Sequence, residues 1–309
     1  MPSISNLHVD TLLTNVSVMY QNDDAGYAAD EVFPEIPVDK QSDKYPIYGQ
    51  ENFRADDDLR APGGESDEMR WSLSTDQYYC DGHAKSMVIP DEWRENEDAV
   101  LDVDVDTTTM LTDQIFLRRE VDAYNQVSAG LTGVDLAGSK WDNDANDPIK
   151  VVDAAKETIR KATGMKANRL LLPEPVYRGI RNNALVKARI SGAPTFDASL
   201  ITQQQLATVF GVEKVVLASA VYATSKEGQT QTNDYIWGKN AMLFYKPPSP
   251  GKRAVSLGYR MTWNKGRLGA LVYRFRLDSR HSDKIEVMRY YAQKIVAAGA
   301  GVCWNNVIA

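Results

Sequence analysis

Cys80-Asp81-Gly82-His83 puts a thiol and an imidazole in one short stretch, close enough to ligate a single zinc ion. Zinc needs three or four such ligands. No second Cys/His cluster follows, so no metal site is assigned. Asp102, Asp104 and Asp106 alternate like the start of a calcium loop. An EF-hand would need glycine at its sixth position and glutamate at its twelfth, where Thr107 and Asp113 stand. The run reads instead as the acidic first turn of a helix, where the backbone dipole favours negative charge. Asp56, Asp57 and Asp58 form a third acidic run, suited to a solvated surface or to a salt bridge with a neighbour's arginine rather than to a metal. His281 lies among Asp278, Ser279, Ser282 and Asp283, the residue types of a hydrolytic triad but the composition of a polar turn. There is no G-x-S-x-G elbow and no glycine-rich phosphate loop. We therefore assign no catalytic, metal or cofactor-binding residue and expect no cofactor and no enzymatic activity.

Something other than chemistry must then explain the elements that carry these residues. A charge-rich β-arm covers about 44–89, one long amphipathic helix about 103–128, and a compact α/β block about 147–246. The arm tip runs from Arg54 through Ala55, the three aspartates, Leu59 and Arg60 to Gly63-Gly64 and Glu68, far longer than a tight hairpin needs. Tyr45, Ile47 and Tyr48 favour strand on the way out. Met69, Trp71 and Leu73 alternate with polar residues on the way back. A lone ribbon is marginal in water, so the arm is expected to lie on a neighbouring molecule. Its expected contact residues are Arg54, Asp56, Asp57, Asp58, Arg60 and Trp71.

Elsewhere the signals are local. Residues 1–40 read as an extended tether, with prolines at 34 and 37 opposing helix and central strand. Asp104 or Asp106 is expected to cap the long helix, whose apolar stripe is Leu111, Ile115, Leu117, Val121 and Tyr124. Asp147 with Pro148 opens a helix that Gly164 stops. Arg169–Leu172 is a buried strand, a second helix begins at Pro175, and Thr202 with Gln205 forms a capping box. Glu213–Leu217 and Asp234–Tyr245 read as strands. A meander of Gly258–Trp263, Ala270–Leu277, Lys284–Tyr291 and Val302–Val307 closes the chain.

The whole is 309 residues with 43% hydrophobic and 25% charged content, enough for one large or two moderate soluble domains. Mean hydropathy is −0.40, with no run of about 18 apolar residues to cross a membrane and no secretory signal pattern. Net charge of −7 disfavours broad binding of nucleic acid by the whole surface without excluding a container whose inner wall should avoid trapping DNA. Acidic residues crowd the first third and basic ones the later chain, a pattern that suits head-to-tail contact between copies and equally suits ordinary solvated faces. The lone Cys80 and Cys303 make no disulfide framework.

The segment Val32-Phe33-Pro34-Glu35-Ile36-Pro37-Val38, followed by Lys44-Tyr45-Pro46, resembles the major capsid proteins of tailed bacteriophages with the HK97-type fold. So do Leu117-Arg118-Arg119-Glu120-Val121-Asp122, then Ile201-Thr202 with Leu206-Ala207 and Phe210-Gly211-Val212, and Ile285-Glu286-Val287 with Tyr290-Tyr291. The resemblance implies an α+β fold. It has an N-terminal arm (1–40), an extended E-loop (41–89), a P-domain (90–146 and 247–309) holding the spine helix at about 103–128, and an A-domain (147–246). It implies a structural protein that self-assembles into pentamers and hexamers of an icosahedral shell, enclosing DNA without reading its sequence. Portal, scaffolding and decoration proteins would be its partners, the virion its place and the host bacterial cytoplasm its site of assembly. Lys40, Lys44 and Lys85 match no crosslinking pattern of that family. Two rival readings are an encapsulin-like nanocompartment shell and an α/β enzyme with an insertion arm.

Overall fold

The computed structural model describes residues 22–48, 53–55, 59–60, 62–65, 68, 72–95, 102–192, 197–226, 228–251, 254–263 and 271–309. In chain order the elements are α1 (Ala29–Val32), β1 (Glu35–Val38), β2 (Ser42–Tyr48), β3 (Leu73–Tyr79), β4 (Asp81–Pro90), α2 (Asp91–Glu95), α3 (Val103–Gly130) and β5 (Val134–Asp135). There follow α4 (Pro148–Thr163), β6 (Arg169–Pro173), α5 (Glu174–Asn182), α6 (Ala184–Ser191), α7 (Gln203–Val209), β7 (Lys214–Ala218), β8 (Val221–Ala223), β9 (Asn233–Tyr235) and β10 (Ala241–Phe244). The chain ends in β11 (Gly258–Trp263), β12 (Leu271–Leu277), β13 (Ser282–Ile295) and β14 (Gly301–Asn305). No helix among the described residues is long and apolar enough to cross a membrane.

Two sheets carry the body. One runs β5-β14-β10-β6-β7, with β6 and β7 parallel and β10 antiparallel to both β6 and β14. Its central strands are apolar on both faces: Leu170, Leu171, Leu172, Ala241, Met242, Leu243 and Phe244 have no exposed surface. A strand buried on both faces reads as a continuous apolar run. One face packs with Val152 and Ile159 of α4, Val176 and Ile180 of α5, and Leu206 of α7. The other packs with Ala123 and Val127 of α3 and with Phe33 and Trp237.

The second sheet is built on β13, long enough to hold three partners: β12 along Ser282–Met288, β4 along Ser282–Tyr291 and β11 along Tyr291–Ile295. Strand β1 adds in parallel to the outer edge of β11, an edge position that tolerates Pro37 because no ladder donor is needed on its open side. Helix α3 lies across this sheet. Leu111 and Ile115 pack on Ile89, Ile285 and Val287.

Most local signals hold. Asp147 caps α4 with Pro148 behind it, and Gly164 stops it in the left-handed conformation at φ 73°. Thr202 and Gln205 make both bonds of the capping box. Other expectations need correcting. The cap of α3 is Asp102, which accepts from the Asp104 and Val105 N–H groups; Asp104 and Asp106 sit inside the first turn. The buried stripe of α3 is Thr107, Leu111, Ile115, Arg119, Glu120, Ala123 and Val127; of the expected apolar stripe, Leu117, Val121 and Tyr124 are only half-buried. Residues 1–40 are not extended throughout, because α1 forms a helical turn just before the prolines. The helix at Pro175 breaks at Asn183, which accepts from the Leu185 and Val186 N–H groups and so starts α6. The expected strand 234–245 is β9 and β10, parted by a turn in which Gly238 has φ 54°. The expected last strand of the meander is β14, and it joins the other sheet beside β10.

Candidate assembly surface and the ion-pair clusters that position it

The arm is the two-stranded ribbon β2–β3, in register from Ser42 opposite Tyr79 to Tyr48 opposite Leu73. Its base is fixed. The Tyr45 hydroxyl donates to Asp76 at 2.6 Å, and the Lys294 ammonium on β13 pairs with the same carboxylate at 3.1 Å. The Tyr45 hydroxyl is pushed up in pKa by burial and by Asp76. Tyr78 packs inward, and the Cys80 thiol donates to the Met261 carbonyl at 3.3 Å. Further out the ribbon opens: Leu73 is 61% exposed and Phe53 60%. Such a ribbon leaves backbone and apolar groups for another surface to cover.

Of the residues expected to carry contacts, Arg54 and Arg60 are exposed, and neither forms an ion pair among the described residues. Asp56, Asp57, Asp58 and Trp71 lie outside the described residues. The Cys80/His83 stretch is split: Cys80 is buried, its thiol pushed up to about 11 by burial, while the His83 ring stacks on Tyr291 at 4.0 Å. Asp102 and Asp104 are likewise spent on structure. The Asp104 carboxylate takes Arg94 at 2.8 Å and Arg274, and Asp283 takes Arg94 at 2.8 Å and Arg276 at 3.2 Å. With Asp91 on Arg276 at 2.6 Å, this network ties α2 and the start of α3 to the β12–β13 hairpin. The hydrogen bond from Arg94, joined by that from Arg276, outweighs the opposing effect of burial and lowers the pKa of Asp283. His281 occupies the hairpin turn in the left-handed conformation at φ 42°.

A second cluster holds the N-terminal segment to the body, and no motif in the sequence announced it. Glu120 of α3 has no exposed surface. It accepts from the Ala28 and Ala29 N–H groups at 2.9 and 2.8 Å and from the Trp237 indole at 2.6 Å. The carboxylate of one helix thus satisfies the free N–H groups at the start of another, while also binding the turn before β10. Asp30 pairs with Arg119 at 3.1 Å and with Arg260, and Glu35 pairs with Arg260 at 2.6 Å. Glu31 faces the other sheet, on Lys214 and Lys246, both at 2.7 Å. Burial pushes the Glu31 carboxyl up, but hydrogen bonds from Lys214 and Lys246 outweigh it and hold it at about 2. Burial likewise raises Asp30 and Glu35; Arg119 and Arg260 for Asp30, and Arg260 for Glu35, bring both below the usual carboxylate range. The one sequence signal was the charged pair Arg119-Glu120, which interrupts the apolar face of α3.

No family model matches the chain. The chain is 26% identical over 250 residues to the major capsid protein of Burkholderia phage BcepMu, covering 79% of this chain and 78% of that one. It is 21% identical over 314 residues to the major capsid protein of Pseudomonas phage JBD67, covering 97% of each. Among solved structures, a phage-related protein from Bordetella bronchiseptica RB50 superposes with TM-score 0.69 at 22% identity, over 93% of this chain and 94% of that one. The capsid of the cyanophage P-SCSP1u superposes with TM-score 0.66 at 11% identity, over 97% and 93%. An encapsulin complex from Synechococcus elongatus PCC 7942 shares the fold with TM-score 0.58 at 10% identity, over 95% and 92%. The fold is that of the HK97-like capsid proteins, and the sequence relatives are phage major capsid proteins.

Proposed function

We propose that this chain is the structural head protein of a phage, copies of which close into a shell around DNA. The sequence likeness to the BcepMu major capsid protein carries the reading, since it extends over 79% of this chain. The geometry supports it. A body of two sheets, with α3 packed on both, projects a ribbon fixed at its base and open further out. In this reading residues 1–40 are the N-terminal arm, 41–89 the E-loop, 90–146 with 247–309 the P-domain, and 147–246 the A-domain. Pentamers and hexamers tile the shell, portal and scaffolding proteins and a decoration protein join it, assembly takes place in the host bacterial cytoplasm, and no catalysis is required. The E-loop contacts fall to Arg54, Asp56, Asp57, Asp58, Arg60 and Trp71.

An encapsulin-like shell shares the fold, but the sequence relatives favour the phage reading. Purified particles separate the two. The phage reading expects this chain to co-sediment with nuclease-protected DNA in particles from an induced lysate. Particles of this chain filled with a protein cargo and free of DNA would overturn it.

A further inference from the structure

Arg119 of α3, Arg260 of β11 and Arg289 of β13 converge with Glu35, Thr262 and Tyr291 on one pocket of about 20 Å³, where the second sheet meets α3. A volume of that size admits a single water-sized atom. The donors lining it are not used up. Asp30 takes the Arg119 Nη2 and one nitrogen of Arg260, and Glu35 takes the other Arg260 nitrogen. Arg119 Nε, Arg289 Nε and the Tyr291 hydroxyl are buried and have no acceptor among the described residues. Arg119 and Tyr291 are only 5% and 4% exposed. Arg289 forms no ion pair among the described residues; its guanidinium lies over the Phe116 ring at 4.8 Å, as does that of Arg119 on the same ring. Glu120, the next carboxylate along α3, is occupied by Ala28, Ala29 and Trp237. Leaving buried donors unmade costs free energy, more so for charged groups, and burial and Arg260 both press the Arg119 guanidinium toward losing its proton.

We propose that this pocket is a carboxylate-binding site, in which one carboxylate oxygen enters end-on and accepts from Arg119 Nε, Arg289 Nε and the Tyr291 hydroxyl. Charge-assisted bonds from guanidinium groups are the strong ones for such an anion. Two sources offer that chemistry: an acidic side chain of a second copy of this chain, which carries 42 Asp and Glu, or a free small carboxylate. The site does not depend on the shell reading, because it can be tested on the unassembled chain.

The probe is acetate, exchanged at constant ionic strength for methanesulfonate, whose oxygens are much weaker acceptors, with the melting temperature of the unassembled full chain as readout. At 20 mM acetate we expect a rise of about 2 °C in the wild type. In Arg289→Lys and Tyr291→Phe, which remove single donors and spare the buried Arg119, at least half of it should be lost. A rise in the unassembled chain that vanishes in assembled particles assigns the occupant to a second copy. A rise in both states assigns it to a free carboxylate. No rise, or the same rise in wild type and both variants, overturns the proposal.

Discussion

Glu120 is a carboxylate without exposed surface, whose two oxygens accept three N–H groups from two segments distant in sequence. Glu120→Ala would leave all three donors buried and unpaired, at a cost of roughly 3 kcal/mol or more. We expect that loss in urea denaturation, together with earlier proteolysis in 22–35; unchanged stability would contradict the anchoring role. The acids beside it respond to pH with a definite sign. Glu31 has its pKa lowered from 4.5 to about 2, so its contribution is full above about 4.5 and fades as pH falls toward 2. Asp30 and Glu35 are lowered too and act in the same direction. Pepsin susceptibility of the segment around α1 should therefore rise as pH falls through that window, after correction for the protease's own pH profile. In Glu31→Gln the rise should be smaller and the starting susceptibility higher. Beyond the Arg119-Glu120 pair on the apolar face of α3, none of this was legible in the sequence, where Asp30, Glu31 and Glu35 look like ordinary solvated acids. Only the fold brings Arg119, Lys214, Lys246 and Arg260 to them.

The elements that sequence could place are those fixed within a few residues. Asp147-Pro148 with Gly164, and Thr202 with Gln205, specify their own helix ends. The cap of α3 was misplaced because Asp102, Asp104 and Asp106 are equivalent by type, and only the backbone of Asp102 is extended, as a cap requires. Asp102→Ala should cost about 1 kcal/mol as a lost cap. Asp104→Ala should act differently, by freeing Arg274, leaving Arg94 on Asp283 alone at close range and loosening the β12–β13 hairpin. Hydrogen exchange separates the two: the first variant speeds exchange at the start of α3, the second in β12 and the hairpin turn. Matching exchange maps would contradict this division of labour. Strand membership was less legible than strand existence. The apolar run at the end of the chain identifies a strand, but its choice of β10 over the meander depends on partners remote in sequence.

At the scale of the whole molecule the order of elements was readable because each has its own period or punctuation: an alternating ribbon, a long helical stripe, then helices and strands in turn. That order led to a capsid fold, which solved structures share over nearly the whole chain. The proposed arm contacts belong to this scale as well. Charged contacts between copies are screened by salt, so Asp56/Asp57/Asp58→Ala should lower assembly yield at low salt and flatten its salt dependence; the wild-type yield curve in the variant would reject those contacts. The central claim is that copies of this chain build a closed shell. The most direct measurement is negative-stain electron microscopy of the chain, expressed alone and together with a scaffolding protein, beside size-exclusion chromatography. The account predicts closed shells, or rings of five and six. A monomer or small dimer under both conditions would contradict it.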